Sequence, residues 1–191
     1  MKIYTFFSEF KGKTYIDHYK APNKEVAFHL WYESFLRRPT ISRMQRVHII
    51  EAHNDRDYDP CYLVGVSNVL CWWISAWRKP LLVNYMETID FNSHLAGFAY
   101  TFIVMFEGGT YIHQETISDF KKSYNQWLAY FLNEPEIARV VNEMQKEELA
   151  KYDADKVVSL IEKSEYVHKL SLTILGSPFE MYITKTPTET E

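Results

Sequence analysis

The chain is poor in the residues and motifs that reveal a function at sight. Of its 191 residues, 2 are Cys, 6 are Gly and 7 are Pro. Cys61 and Cys71 form no CxxC, and no Cys/His set has zinc-ligand spacing, so neither a zinc module nor a disulfide framework is expected. Two reduced thiols in a reducing cytosol is the simple expectation. There is no HExxH, GxSxG, P-loop or GxGxxG. No metal and no cofactor is expected. No apolar run approaches the ~18 residues of a membrane span, so no membrane association is expected. Glu9 interrupts the stretch where an export signal would place its apolar core, which points to a cytoplasmic location. A basic excess is missing too. Lys and Arg number 21 against 25 Asp and Glu, a net charge of −4, which disfavours general nucleic-acid binding.

What the chain has is apolar and aromatic residues. It is 47% hydrophobic and 24% charged, enough to bury a core. Aromatics make up 16%, with 14 Tyr, 12 Phe and 5 Trp. It also has an internal similarity. Tyr4 to Arg43 falls without a gap on Tyr100 to Arg139 at an offset of 96, with 14 identities in 40 positions. Among them are Phe6/Phe102, Phe10/Phe106, Gly12/Gly108, Tyr15/Tyr111, Trp31/Trp127, Phe35/Phe131, Pro39/Pro135, Ile41/Ile137 and Arg43/Arg139. A later segment, Trp72 to Tyr85, lines up with Leu170 to Ile183 at an offset of 98, with Pro80 on Pro178.

Each copy reads as hairpin, helix or helices, hairpin. Residues 3–10 and 14–20 are predicted strands around a glycine turn at Gly12, and 99–106 and 110–116 repeat them around Gly108. Helices are predicted over 23–36 and 119–132, capped by Asn23 and by Ser118 or Asp119. Phe120, Tyr124, Trp127, Leu128 and Phe131 form one apolar stripe, mirrored by Phe28, Trp31, Tyr32 and Phe35, so both tryptophans are expected as core anchors. Pro39 and Pro135 are read as opening second helices over about 39–52 and 135–150. Residues 57–65 and 153–163 are read as helical or irregular, the latter with a short third helix. Pro80 and Pro178 are read as turn residues between short strands. The expected fold is α+β: two tandem copies, residues 1–88 and 99–185, of antiparallel sheets with helices packed on them, pseudo-twofold related. Residues 89–98 are read as a linker and 186–191 as a frayed polar tail.

Candidate site residues come from where the copies differ. Residues 1–96 carry a net charge of +2 and residues 97–191 a net of −6, so unlike halves could attract. Arg37, Arg38, Arg43, Arg46, Arg78 and Lys79 are the only basic concentration, next to Trp72, Trp73 and Trp77. That set could form a hot spot for an acidic protein surface or stack on a single nucleic-acid strand; core tryptophans and a solvated helix face are the plainer reading. His113 and Glu115, with Tyr15 and Tyr111, are the residues a base-assisted or ligand-binding site would use, in a cleft between the copies. Asp55, Asp57 and Asp59 alternate as in a calcium loop, but Pro60 and Val66 stand where the turn Gly and the bidentate Glu belong. A solvated capping loop is the expectation. Cys71 has no basic neighbour in sequence and is read as a buried strand cysteine.

These features favour a non-catalytic interaction protein with a protein partner, of immunity- or antitoxin-like character, and with homodimerisation open. A small-molecule binder or enzyme is the second expectation.

Overall fold

A computed structural model describes residues 1–55, 57, 59–92, 97–135 and 137–188. The chain is α+β and divides into two compact units, Met1–Thr88 and Ile89–Glu191.

The first unit runs β1 (Lys2–Phe10), β2 (Lys13–Ala21), α1 (Lys24–Leu36), α2 (Arg43–Asn54), β3 (Cys61–Tyr62), β4 (Val69–Ser75) and β5 (Pro80–Thr88). Its antiparallel sheet has the order β2-β1-β5-β4-β3. The second runs β6 (Phe98–Phe106), β7 (Gly109–Glu115), α3 (Phe120–Asn133), a 3-10 turn at Ile137–Arg139, α4 (Glu143–Ala150), α5 (Ala154–Leu160), β8 (His168–Ile174) and β9 (Ser177–Pro187). Its sheet order is β7-β6-β9-β8, the same path without the short edge strand.

The strands form because Tyr, Phe, Thr and Ile suit a pleated, half-buried surface. Alternation puts Tyr4, Phe6 and Phe10 on the face that meets α1. Asn23 accepts a hydrogen bond from the Val26 N–H and starts α1, and Asp119 does the same for α3 through Lys122. The apolar stripes then land as the 3.6-residue period requires. Phe6 stacks on Trp31 at 5.5 Å and on Tyr85 at 4.7 Å between centroids. Phe102 stacks on Trp127 at 5.4 Å. Trp31 and Trp127 are both fully buried, and the Trp31 indole N–H donates to Ser8 Oγ at 3.0 Å.

Five details depart from the sequence expectation. The second helices open later than Pro39 and Pro135. Ser42 with Gln45, and Asn142 with Gln145, form reciprocal capping boxes. Those side chains satisfy amides that a proline start would leave orphaned, so they decide the boundary. Because the 3-10 turn lengthens the second unit, the cap at Asn142 stands where Ser42 stands, and Ile41/Ile137 and Arg43/Arg139 are not positional counterparts. Pro80 and Pro178 lie in β5 and β9; the turns precede them. The stretch expected to be helical or irregular at 57–65 contains β3. Finally, Ile89 bridges to Lys185 and the Phe91 N–H donates to the Glu165 carbonyl, so the start of the expected linker is built into the second unit. Thr186 and Pro187 belong to β9 and the Thr188 N–H donates to the Gly97 carbonyl, so the expected frayed tail is paired that far. The rest of that tail (189–191) and residues 93–96 lie outside the described residues.

Candidate functional site

Four of the five hairpin connections among the described residues are two-residue turns with both central residues left-handed; the fifth, between β3 and β4, is the longer loop 63–68. Three carry Gly second: Lys11-Gly12, Glu107-Gly108 and Leu175-Gly176. The fourth, between β4 and β5, is Trp77-Arg78, with φ 49° and 61°. The turn closes through the Ala76 N–H donating to the Lys79 carbonyl at 2.8 Å. Twist-matched turns of this kind favour Gly at the second position because a Cβ is disfavoured there. Arg78 therefore holds a conformation that costs it energy, and it does so on the surface.

Trp77 keeps 43% of its surface exposed. Its ring lies 5.2 Å from the His48 ring on α2, and the Arg78 guanidinium is 5.5 Å from the Trp77 centroid. His48 shares a helix face with Met44 and Glu51, one turn away on either side. Met44 and Val47 are exposed, as are Arg43, Arg78 and Lys79. The result is an exposed apolar surface, part aromatic, bordered by basic groups and by Glu51, whose carboxylate lies 3.7 Å from His48 Nδ1.

The three tryptophans flagged in sequence go three ways. Trp72 is buried against Trp31 and Phe28, so it is core and not a surface group. Trp73, one residue on, is 59% exposed and points to the opposite face of the sheet. Only Trp77 joins the α2 surface. The arginines also divide. Arg46 donates to the Leu36 carbonyl at 2.8 Å and the Arg38 carbonyl at 3.2 Å, closing the end of α1. Arg38 donates to both carboxylate oxygens of Asp17 at 2.6 Å and lies 4.4 Å from the Tyr15 ring centroid. Tyr15 is thus part of a strand-to-helix clamp. Arg43 stays on the exposed surface.

In the second unit, His113 and Glu115 do meet, at 2.8 Å, and the His113 ring stacks on Tyr130 of α3 at 4.0 Å. Tyr111 lies on the same face of β7 and packs edge-on against Phe131 at 5.6 Å. Tyr130 carried no sequence signal, because it lies off the buried stripe of its helix.

The cap that starts α2 is followed by Arg43-Met44-Gln45, and the cap that starts α4 by Glu143-Met144-Gln145. Met144 and Leu175 are exposed where the first unit exposes Met44 and Trp77. One unit therefore presents a basic aromatic surface where the other presents an acidic aliphatic one.

Asp55 ends α2, and its carboxylate accepts from the Asp57 N–H at 3.1 Å, so this part of the acidic stretch works as a local turn. Arg56 and Tyr58, beside it, lie outside the described residues. Among the described residues no group of three or more His, Cys, Asp or Glu is placed to hold a metal ion, and no helix is long and apolar enough to cross a membrane. Cys71 is half-buried on β4, where burial, then Cys61 and Glu9, push its thiol up to about 11.

No family model matches the chain, and neither a curated protein nor a solved structure shows significant similarity to it.

Proposed function

We propose that this chain is a non-catalytic interaction protein that binds an acidic surface on a protein partner through Trp77, Arg78, His48 and the exposed face of α2. The observation that carries this is the left-handed Trp77-Arg78 turn. A large aromatic and an arginine are held out toward water in a turn where Gly would cost less. Trp and Arg are the residue types most enriched in binding hot spots. The methionine and valine beside them supply apolar area, and the surrounding cations match an acidic partner. An immunity- or antitoxin-like role in the cytoplasm fits such a module.

The test is capture from native lysate with tagged wild-type protein and with Trp77→Ser in parallel. A stoichiometric acidic protein held by the wild type and lost with the variant supports the proposal. Equal capture by both sinks it.

A second reading has one specific observation behind it, the His113–Glu115 pair under Tyr130. A carboxylate that orients a histidine can support base chemistry or hold a polar ligand. That reading expects a small molecule to co-purify and to be lost in Glu115→Gln.

A further inference from the structure

The strand pairing that the sequence hid places the only two cysteines of the chain against each other. In the β3–β4 ladder Cys61 stands directly opposite Cys71. Opposed residues of an antiparallel pair lie about 4.5–5.5 Å apart at Cα and project to the same face. A disulfide accepts Cα separations of about 4.4–6.8 Å. Both thiols are free in the structure, Cys61 exposed and Cys71 half-buried.

We propose that Cys61 and Cys71 are a redox modification site that closes to an intramolecular disulfide by exchange with a low-molecular-weight disulfide of the glutathione class. Exposed Cys61 reacts first. Its thiolate attacks one sulfur of glutathione disulfide, forming a mixed disulfide and expelling one glutathione thiolate. Cys71, as thiolate, then attacks the Cys61 sulfur, forms the protein disulfide and expels the second glutathione. Two protein thiols lose two electrons and their two protons, and one glutathione disulfide becomes two glutathione thiols. Burial and the nearby Cys61 and Glu9 hold the Cys71 thiol protonated, which makes closure the slow step.

The bond would pin the two-residue edge strand β3 to β4 and, through it, the end of the acidic stretch Asp55–Asp59 that precedes it. An edge strand this short has few ladder hydrogen bonds of its own, so the state of the thiols sets how firmly it is held. In a reducing compartment the reduced form is the resting state, and the disulfide reports a shift of the glutathione pool.

The experiment exposes the folded full chain to graded ratios of glutathione to glutathione disulfide, traps free thiols by alkylation and measures intact mass. The expected product lacks two hydrogens, takes up no alkylating agent, yields a Cys61–Cys71 linked peptide and returns to the dithiol with excess glutathione. In Cys71→Ser the same treatment should stop at one glutathione on Cys61. Repeating the titration in denaturant should make closure at least tenfold less favourable, because the ladder no longer sets the pairing. Wild-type protein that at equilibrium still carries glutathione on Cys61 while Cys71 stays alkylatable overturns the proposal. So does closure equally favourable in folded and denatured chains.

Discussion

Replacing Arg78 by Gly should make the protein more stable while removing a surface charge and a ring contact. Arg78 sits at φ 61° in an exposed turn. The left-handed region costs an L-residue roughly 1–2 kcal/mol. Gly loses that cost but gives back roughly 0.5–1 kcal/mol through the greater freedom of the unfolded chain. The stacking of Arg78 on Trp77, at 5.5 Å and solvent-exposed, is worth about 0.5 kcal/mol at that distance. At the midpoints of these ranges the balance is a net gain of about 0.3 kcal/mol, or about 1–2 °C for a unit of this size. The reverse substitution gives an internal control. Gly12 holds φ 71° at the second position of its own turn, and a Cβ there would meet nothing within 4 Å, so Gly12→Arg should destabilise through the backbone alone. Urea unfolding of wild type, Arg78→Gly and Gly12→Arg, compared by midpoint at constant slope, reads both effects. A loss of 1 kcal/mol or more in Arg78→Gly would refute the reasoning, since it would mean that the turn is held by contacts and not strained.

Other outcomes follow from individual side chains. Ser8→Ala should cost about 1–3 kcal/mol in urea unfolding, because it leaves the buried Trp31 indole N–H without its acceptor. Asp17→Asn should cost about 1–2 kcal/mol, since it turns a two-oxygen acceptor for Arg38 into a single one while Arg38 Nε is already buried without a partner among the described residues. His168 stacks on Phe91 at 3.6 Å, and burial, then Lys163 and Lys185, lowers it from 6.5 to about 4. Between those values the unfolded chain binds the proton and the folded one does not, so stability is full above pH 6.5 and falls as the pH drops toward 4. After allowance for solvent, the loss should be about 1–2 kcal/mol, and His168→Phe should flatten that part of the profile.

The hairpins and first helices were legible because their signals are local and strong. Gly12 and Gly108 mark turns that need positive φ, and the stripes through Trp31 and Trp127 keep the helical period. The second helices were misread because a proline and a capping box competed within a few residues, and side-chain hydrogen bonds to orphan amides decided the boundary. β3 was invisible, since two residues carry no period, and with it the facing of Cys61 on Cys71. The split of Trp72 from Trp73 follows from strand alternation. The clamp role of Arg38 and Arg46 does not, because it depends on which carbonyls the end of α1 leaves open. The meeting of His113 and Glu115 follows from the two-residue period of β7, whereas the stacking of Tyr130 required the helix to be in place.

The interaction account stands or falls on the surface around Trp77. The most direct measurement is the affinity of the captured partner for wild-type protein and for Arg78→Glu, determined by calorimetry at low and physiological salt. The account expects a loss of about a hundredfold, near 2.7 kcal/mol, with Arg78→Glu, larger at low salt, while the variant melts as the wild type does. An affinity unchanged by the charge reversal would contradict it.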